Sequence, residues 1–130
     1  MNNYIRGYNL ERRTKQALEK SGWLSMRSPA SKTPVDILAT KNGLSIIVQC
    51  KKTGVAEAMY IKDLEPFLEI SRKYKAIPLL VYSFSGSPLY VKEVTEGRVS
   101  VRRLEKHVEL EKQLKIIEMT QDDGNSMIIG

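Results

Sequence analysis

Cysteine is almost absent from this chain: Cys50 stands alone in 130 residues. That excludes an internal disulfide and any multi-cysteine zinc site, and it fits a reducing cytoplasm. No apolar run approaches the roughly 20 residues that a membrane helix needs. The opening "MNNYIRGYNLERR" also lacks the apolar core of a secretory signal. Repeats, low-complexity tracts and linker-like stretches are missing too, so residues 1–130 read as a single domain. Aromatic residues make up 7% of the chain, too few to suggest a surface that reads bases by stacking. The only histidine, His107, lies in a charged segment and reads as solvated, while Trp23 and Cys50 read as packed.

Acids are scarce in one part of the chain. Residues 1–52 carry ten Lys/Arg against Glu11, Glu19 and Asp36, a balance of +7, whereas the remainder is close to neutral at −1. With 42% hydrophobic and 28% charged residues, the composition is that of a globular domain with one basic, polyanion-facing side.

Periodicity gives the order of elements. Residues 8–21 fit a helix that stops at Ser21-Gly22. Residues 23–27 read as a short strand, and the Ser/Pro-rich 28–34 as a loop. Two apolar segments, 35–40 and 44–50, flank Asn42-Gly43, the strongest short hairpin signal. Residues 58–76 contain a helix; if it starts near Asp63, Pro66 falls in its first turn, where a missing N–H costs little. Residues 77–84 read as a central strand and 88–94 as a more exposed one. Residues 103–118 read as an amphipathic helix carrying Leu104, Val108, Leu114 and Ile117, and 119–130 as a loose tail. Helices alternating with strands predict an α/β domain with a central mixed sheet flanked by helices.

The hairpin also makes a chemical statement. A two-residue type I′ turn at Asn42-Gly43 pairs Lys41 with Leu44, so paired residue numbers sum to 85 and Asp36 opposes Gln49. Lys51, two residues further along, shares that face, while Val35, Val48 and Cys50 take the other. A carboxylate, an amide oxygen and a lysine on one face suit metal-assisted phosphodiester hydrolysis. A hard divalent cation takes oxygen ligands, and the lysine orients water or offsets developing charge. A cross-strand Asp36–Lys51 ion pair beside a neutral Gln49 is the competing account, and spacing alone leaves both open.

The pattern Asp36-x12-Gln49-x-Lys51, with "PVD" and "QCK", resembles the PD-(D/E)xK nuclease superfamily. More specifically, "GYNLERR", "RSPASKTPVDILA" and "LEISRKYKAIPLLVYSF" resemble, in order, blocks of the archaeal Holliday junction resolvases over about residues 4–92. The resemblance implies a restriction-endonuclease-like fold and a Mg²⁺-dependent endodeoxyribonuclease (Mn²⁺ substituting). It further implies a cytoplasmic homodimer of an archaeal cell or archaeal virus that resolves four-way DNA junctions by paired cuts. It places Glu11, Asp36 and Gln49 at the metal, Lys51 and Ser31 in catalysis, and Arg12 and Arg27 on phosphates. Arg13, Lys32 and Lys52 join them as basic neighbours that would contact the DNA backbone. Gln49 departs from the commoner Glu: it keeps an oxygen ligand but brings no charge. Two alternatives stand beside this reading, another nuclease of the same superfamily and a non-catalytic DNA-binding module with a degenerate metal site. Segments 88–94 and 103–118 are the candidate dimer patches.

Overall fold

The computed structural model describes the backbone of residues 3–28, 33–53 and 57–129, and the side chains of 9–28, 33–53 and 57–120. Helix α1 (Asn3–Lys20) begins earlier than its apolar pattern suggests and stops at Gly22, whose φ of 89° suits a residue without Cβ. Strands β1 (Leu24–Arg27), β2 (Ile37–Lys41) and β3 (Leu44–Lys52) follow as an antiparallel meander. Asn42 and Gly43 have φ of 49° and 83°, the type I′ signature, and Lys41 pairs with Leu44 as expected.

The segment 58–76, expected to contain a helix, opens with strand β4 (Ala58–Tyr60) before helix α2 (Leu64–Tyr74), which starts next to Asp63 with Pro66 in its first turn as expected. Strand β5 (Ile77–Ser83) is buried along nearly its whole length and runs parallel to β3. Strands β6 (Tyr90–Glu93), β7 (Arg98–Ser100) and β8 (Val108–Glu109) lead into helix α3 (Leu110–Ile129). Residues 103–109 are therefore not helical as expected, and Leu104 faces solvent. Helix α3 runs on through 119–129, which read as a tail.

Six strands in the order β1-β2-β3-β5-β6-β8 form a mixed sheet, and β4 pairs with β7 in a small second one. Cores lie on both faces of the large sheet. Leu18, Trp23, Ile37, Val48, Val81 and Leu114 pack on the side of α1 and α3. Val35, Ile47, Phe67, Leu80, Tyr82 and Val99 pack on the side of α2 and the small sheet. That explains the consecutive apolar residues at 46–48 in β3 and 77–81 in β5.

His107 is not solvated as expected. Its ring stacks on Tyr90 at 5.0 Å, Nδ1 lies 2.6 Å from the Tyr82 hydroxyl, and Nε2 lies 2.8 Å from the Arg102 carbonyl. The carbonyl can only accept, so Nε2 donates to it, and Nδ1 meets the Tyr82 hydroxyl. Trp23 is packed as expected, at 2% exposure.

Candidate active site

The site forms where β2 separates from β3, at the carboxyl end of the parallel pair β3/β5. In open α/β sheets this end is the usual place for a ligand crevice. The pairing does not continue to Asp36 in the simple register. Val48 is the partner of Ile37, yet its carbonyl also accepts the Asp36 N–H at 2.8 Å. Two residues of β2 thus oppose one of β3, which is a β-bulge. The bulge shifts the faces: Ile37 packs with Val48 toward α1, while Val35 packs with Ile47 toward α2. The expectation that Val35 shares a face with Val48 fails for this reason, and so does the direct opposition of Asp36 and Gln49.

The Asp36 carboxylate instead closes the ladder. Its Oδ2 accepts the Cys50 N–H at 2.8 Å, a donor that a β2 carbonyl would otherwise meet. Burial pushes the Asp36 carboxyl above the ordinary carboxylate range; the Cys50 N–H lowers it, Glu11 raises it, and Lys51 and Lys62 lower it. Glu11 comes from α1, where its Oε2 accepts from Arg27 NH2 at 2.8 Å and Nε at 3.2 Å. Arg27 therefore enters the site as the partner of Glu11. Cys50 faces α1, its thiol 3.7 Å from the Thr14 hydroxyl, and burial raises its pKa, so it is an unreactive packing residue.

Gln49 makes contacts that the sequence pattern does not announce. It is 2% exposed, and its amide both donates and accepts a hydrogen bond. Nε2 donates to the Lys62 carbonyl at 2.6 Å, and the Lys62 N–H donates to Oε1 at 3.1 Å. The oxygen that the sequence pattern offered to a cation thus already accepts a backbone N–H from the β4–α2 connection.

The structure thus brings together Glu11, Arg27, Asp36 and Lys51, and turns Gln49 toward Lys62. Arg12 and Arg13 are exposed on α1, with Arg13 NH2 donating to the Ser87 carbonyl at 3.2 Å, and Lys52 is exposed at the end of β3. Ser31 and Lys32 lie outside the described residues. Lys62 was missed in the sequence, where it lies in a segment with no nuclease pattern.

The donors suit a hard cation in one respect. Asp36 and Glu11 are two neighbouring carboxylates, and Mg²⁺ is commonly held by one or two carboxylates with waters completing its shell. Among the described residues, no group of three or more His, Cys, Asp or Glu forms a denser site.

A mixed sheet flanked by helices, with an aspartate at a bulge and a lysine on the next strand, defines a restriction-endonuclease-like fold. The solved structure of Hjc, a Holliday junction resolvase from Archaeoglobus fulgidus, matches with a TM-score of 0.68 at 16% identity, over 82% of this chain and 93% of that one. The bacterial homing endonuclease I-Ssp6803I matches with a TM-score of 0.64 at 10% identity, over 95% and 97%. The pattern of the archaeal Holliday junction resolvase family (Hjc) matches residues 2–122, and the chain belongs to that family. A curated relative, the crossover junction endodeoxyribonuclease Hjc of Methanocaldococcus jannaschii, is 34% identical over 90 residues. Those residues are 68% of this chain and 66% of the relative, a little under two thirds of its length.

Proposed function

We propose that this protein is a structure-selective endodeoxyribonuclease that resolves four-way DNA junctions in the cytoplasm, using Mg²⁺. The observation that carries the reading is the Asp36 carboxylate, fixed by the Cys50 N–H between the Glu11–Arg27 pair and Lys51. In a chain of this family, that arrangement is best explained as a site for cutting phosphodiesters. Mg²⁺ held by Asp36 and Glu11 would polarise the scissile phosphate and make the attacking water more acidic. Arg27 holds the Glu11 carboxylate and, in the complex, contacts phosphate. Lys51 supplies positive charge for the developing oxyanion or orients the water. Lys52, Arg12, Arg13 and Lys32 are backbone contacts that set position rather than sequence preference, and Ser31 is a further catalytic-loop residue on the family pattern.

Paired cuts call for two sites related by two-fold symmetry, and hence a homodimer. The candidate patches at 88–94 and 103–118 are divided: Val91, Leu110 and Leu114 are buried in the core, while Leu104, Val108 and Ile116 remain exposed. A second uncovered apolar surface lies on the α2 side of β1 and β2, where Leu24, Met26 and Leu38 are 67%, 56% and 46% exposed. Beside them a cleft of about 680 Å³ is lined by Ile47, Ile70 and Tyr74. A patch of this kind marks an interaction surface, and we assign the dimer contact to it.

The test is incubation of a labelled four-way junction with and without Mg²⁺, beside linear and flapped duplexes. Mg²⁺-dependent paired nicks confined to the junction are expected; equal cutting of linear duplex would indicate another nuclease of the same fold. The engagement of Gln49 with Lys62 keeps a second reading in view, a junction-binding module that does not cut. Tight binding with no cleavage at any Mg²⁺ concentration would establish it.

A further inference from the structure

Gln49 is an anomaly in the core. It follows Ile46, Ile47 and Val48 in a strand packed on both faces, and it is as buried as they are. Burying a primary amide is costly unless its donor and acceptor are both satisfied. Here both are satisfied by the main chain of a single residue, Lys62. An amide has one atom to donate and another to accept in this way at any pH; an ionised carboxylate would set oxygen against the Lys62 carbonyl.

The neighbours of Lys62 tighten the placement. Ile61 is 7% exposed and its N–H donates to the Gly97 carbonyl at 2.8 Å. Asp63 has φ 50° and ψ 56°, a left-handed conformation that turns the chain sharply into α2. Lys62 is thereby anchored through its backbone to the residue adjoining Cys50, whose N–H holds Asp36. Its side chain is exposed, and among the described residues no ion pair engages it. Lys62 also ranks with Lys51 among the cations whose charge acts on the Asp36 carboxyl.

We propose that Lys62 is a further phosphate-contacting residue of the junction site and that Gln49 is the positioning residue that delivers it there. The proposal rests on the junction-cleaving reading above. It makes the amide at position 49 a clamp rather than a metal ligand: Asp36 and Glu11 hold the cation, and Lys51 and Lys62 supply positive charge from β3 and the β4–α2 turn.

The experiment measures binding of a fluorescent four-way junction by the full chain in EDTA across a salt series, with folding checked by circular dichroism. Wild type comes first: failure to prefer the junction over linear duplex would end the functional reading itself. Given that preference, Lys62→Met should weaken binding roughly three- to tenfold and make the log–log salt slope shallower by about one. Lys62→Arg should restore the slope. Gln49→Leu removes both hydrogen bonds while keeping bulk; it should weaken binding in the same direction and add little in the Lys62→Met background. Lys112→Met, the same charge change at an exposed site on α3, should leave both readouts as in wild type. A wild-type slope in Lys62→Met, an equal change in Lys112→Met, or full additivity of the Gln49 and Lys62 variants would overturn the proposal. Should Gln49→Leu fail to fold, the slopes of the two Lys62 variants decide it.

Discussion

Gln49→Glu places the family's commoner residue where this chain has an amide, and the structure predicts that the exchange does harm. The Lys62 N–H keeps its acceptor, but the Lys62 carbonyl loses the donor at 2.6 Å and meets a carboxylate oxygen instead. The site is 2% exposed, so water cannot take over the lost contact. An unsatisfied buried acceptor together with a poorly solvated charge costs roughly 2–4 kcal/mol, which lowers the melting temperature of a domain this size by roughly 6–20 °C. The penalty has a definite pH sign. Burial raises the introduced carboxyl's pKa in the folded state, so the folded protein binds the extra proton first. Stability relative to wild type therefore recovers as pH falls through that raised value, where the protonated oxygen can donate to the Lys62 carbonyl. Thermal melts of both proteins in metal-free buffer between pH 5 and 8 provide the assay. Equal melting temperatures throughout, or a gap that widens as pH falls, would refute the clamp. The sequence pattern, with position 49 facing the cation, instead leads one to expect half-maximal cleavage at lower Mg²⁺. The geometry predicts that this midpoint does not fall.

Three further outcomes follow from the site and the exposed face. Asp36→Asn should lower junction cleavage by about two to three orders of magnitude or more while leaving junction affinity in EDTA nearly intact, as quenched-flow and binding assays would show. Because burial raises the Asp36 carboxyl, ionisation of this residue opposes folding, so the same variant should melt no lower than wild type at pH 8, with any gain shrinking as pH falls. Arg27→Ala should weaken binding to junctions of different sequence by similar factors and flatten the salt slope, with a stability loss under about 1 kcal/mol because its pair with Glu11 is partly exposed; loss confined to particular sequences would mean base readout. Leu38→Glu, on an exposed position of β2, should leave the monomer folded but shift the dimer to monomer in sedimentation and abolish paired nicking; an unchanged dimer would move the interface elsewhere.

The parts of the fold visible in the sequence were those set by local chemistry. Asn42-Gly43 fixed a turn type, and the turn fixed the register from Lys41↔Leu44 to Ile37↔Val48. The apolar run at 77–82 marked the central strand, since burial on both faces favours it. Contacts between distant segments were not visible. Strand β4 exists because Ala58–Tyr60 finds Arg98–Ser100, and His107 is drawn in by Tyr82 and Tyr90; nothing near either segment in sequence announces those partners. Within the site, Asp36 and Lys51 were legible through their pattern. The environment of Gln49 was not, because the partner that claims its amide lies 13 residues on, in a connection with no local signal of that contact.

The bulge at Asp36 and Ile37 shows how a structural requirement and a chemical one fall on the same side chain. A ladder that stopped at Val48 would leave the Cys50 N–H, in a part-buried region, facing a strand that is no longer there. A side-chain acceptor must close that gap, and the register shift brings Asp36 to it. An asparagine could accept the same hydrogen bond without a charge to desolvate, so sheet closure alone does not account for aspartate. The ionised group is costly here, as its raised pKa shows, and the nearby Glu11 makes it more so. Lys51 and Lys62 offset part of that cost, and a divalent cation between Asp36 and Glu11 would offset more. A carboxylate retained where an amide would serve the fold better is the mark of a group kept for its charge, and a cation bound beside a phosphate is what that charge would serve.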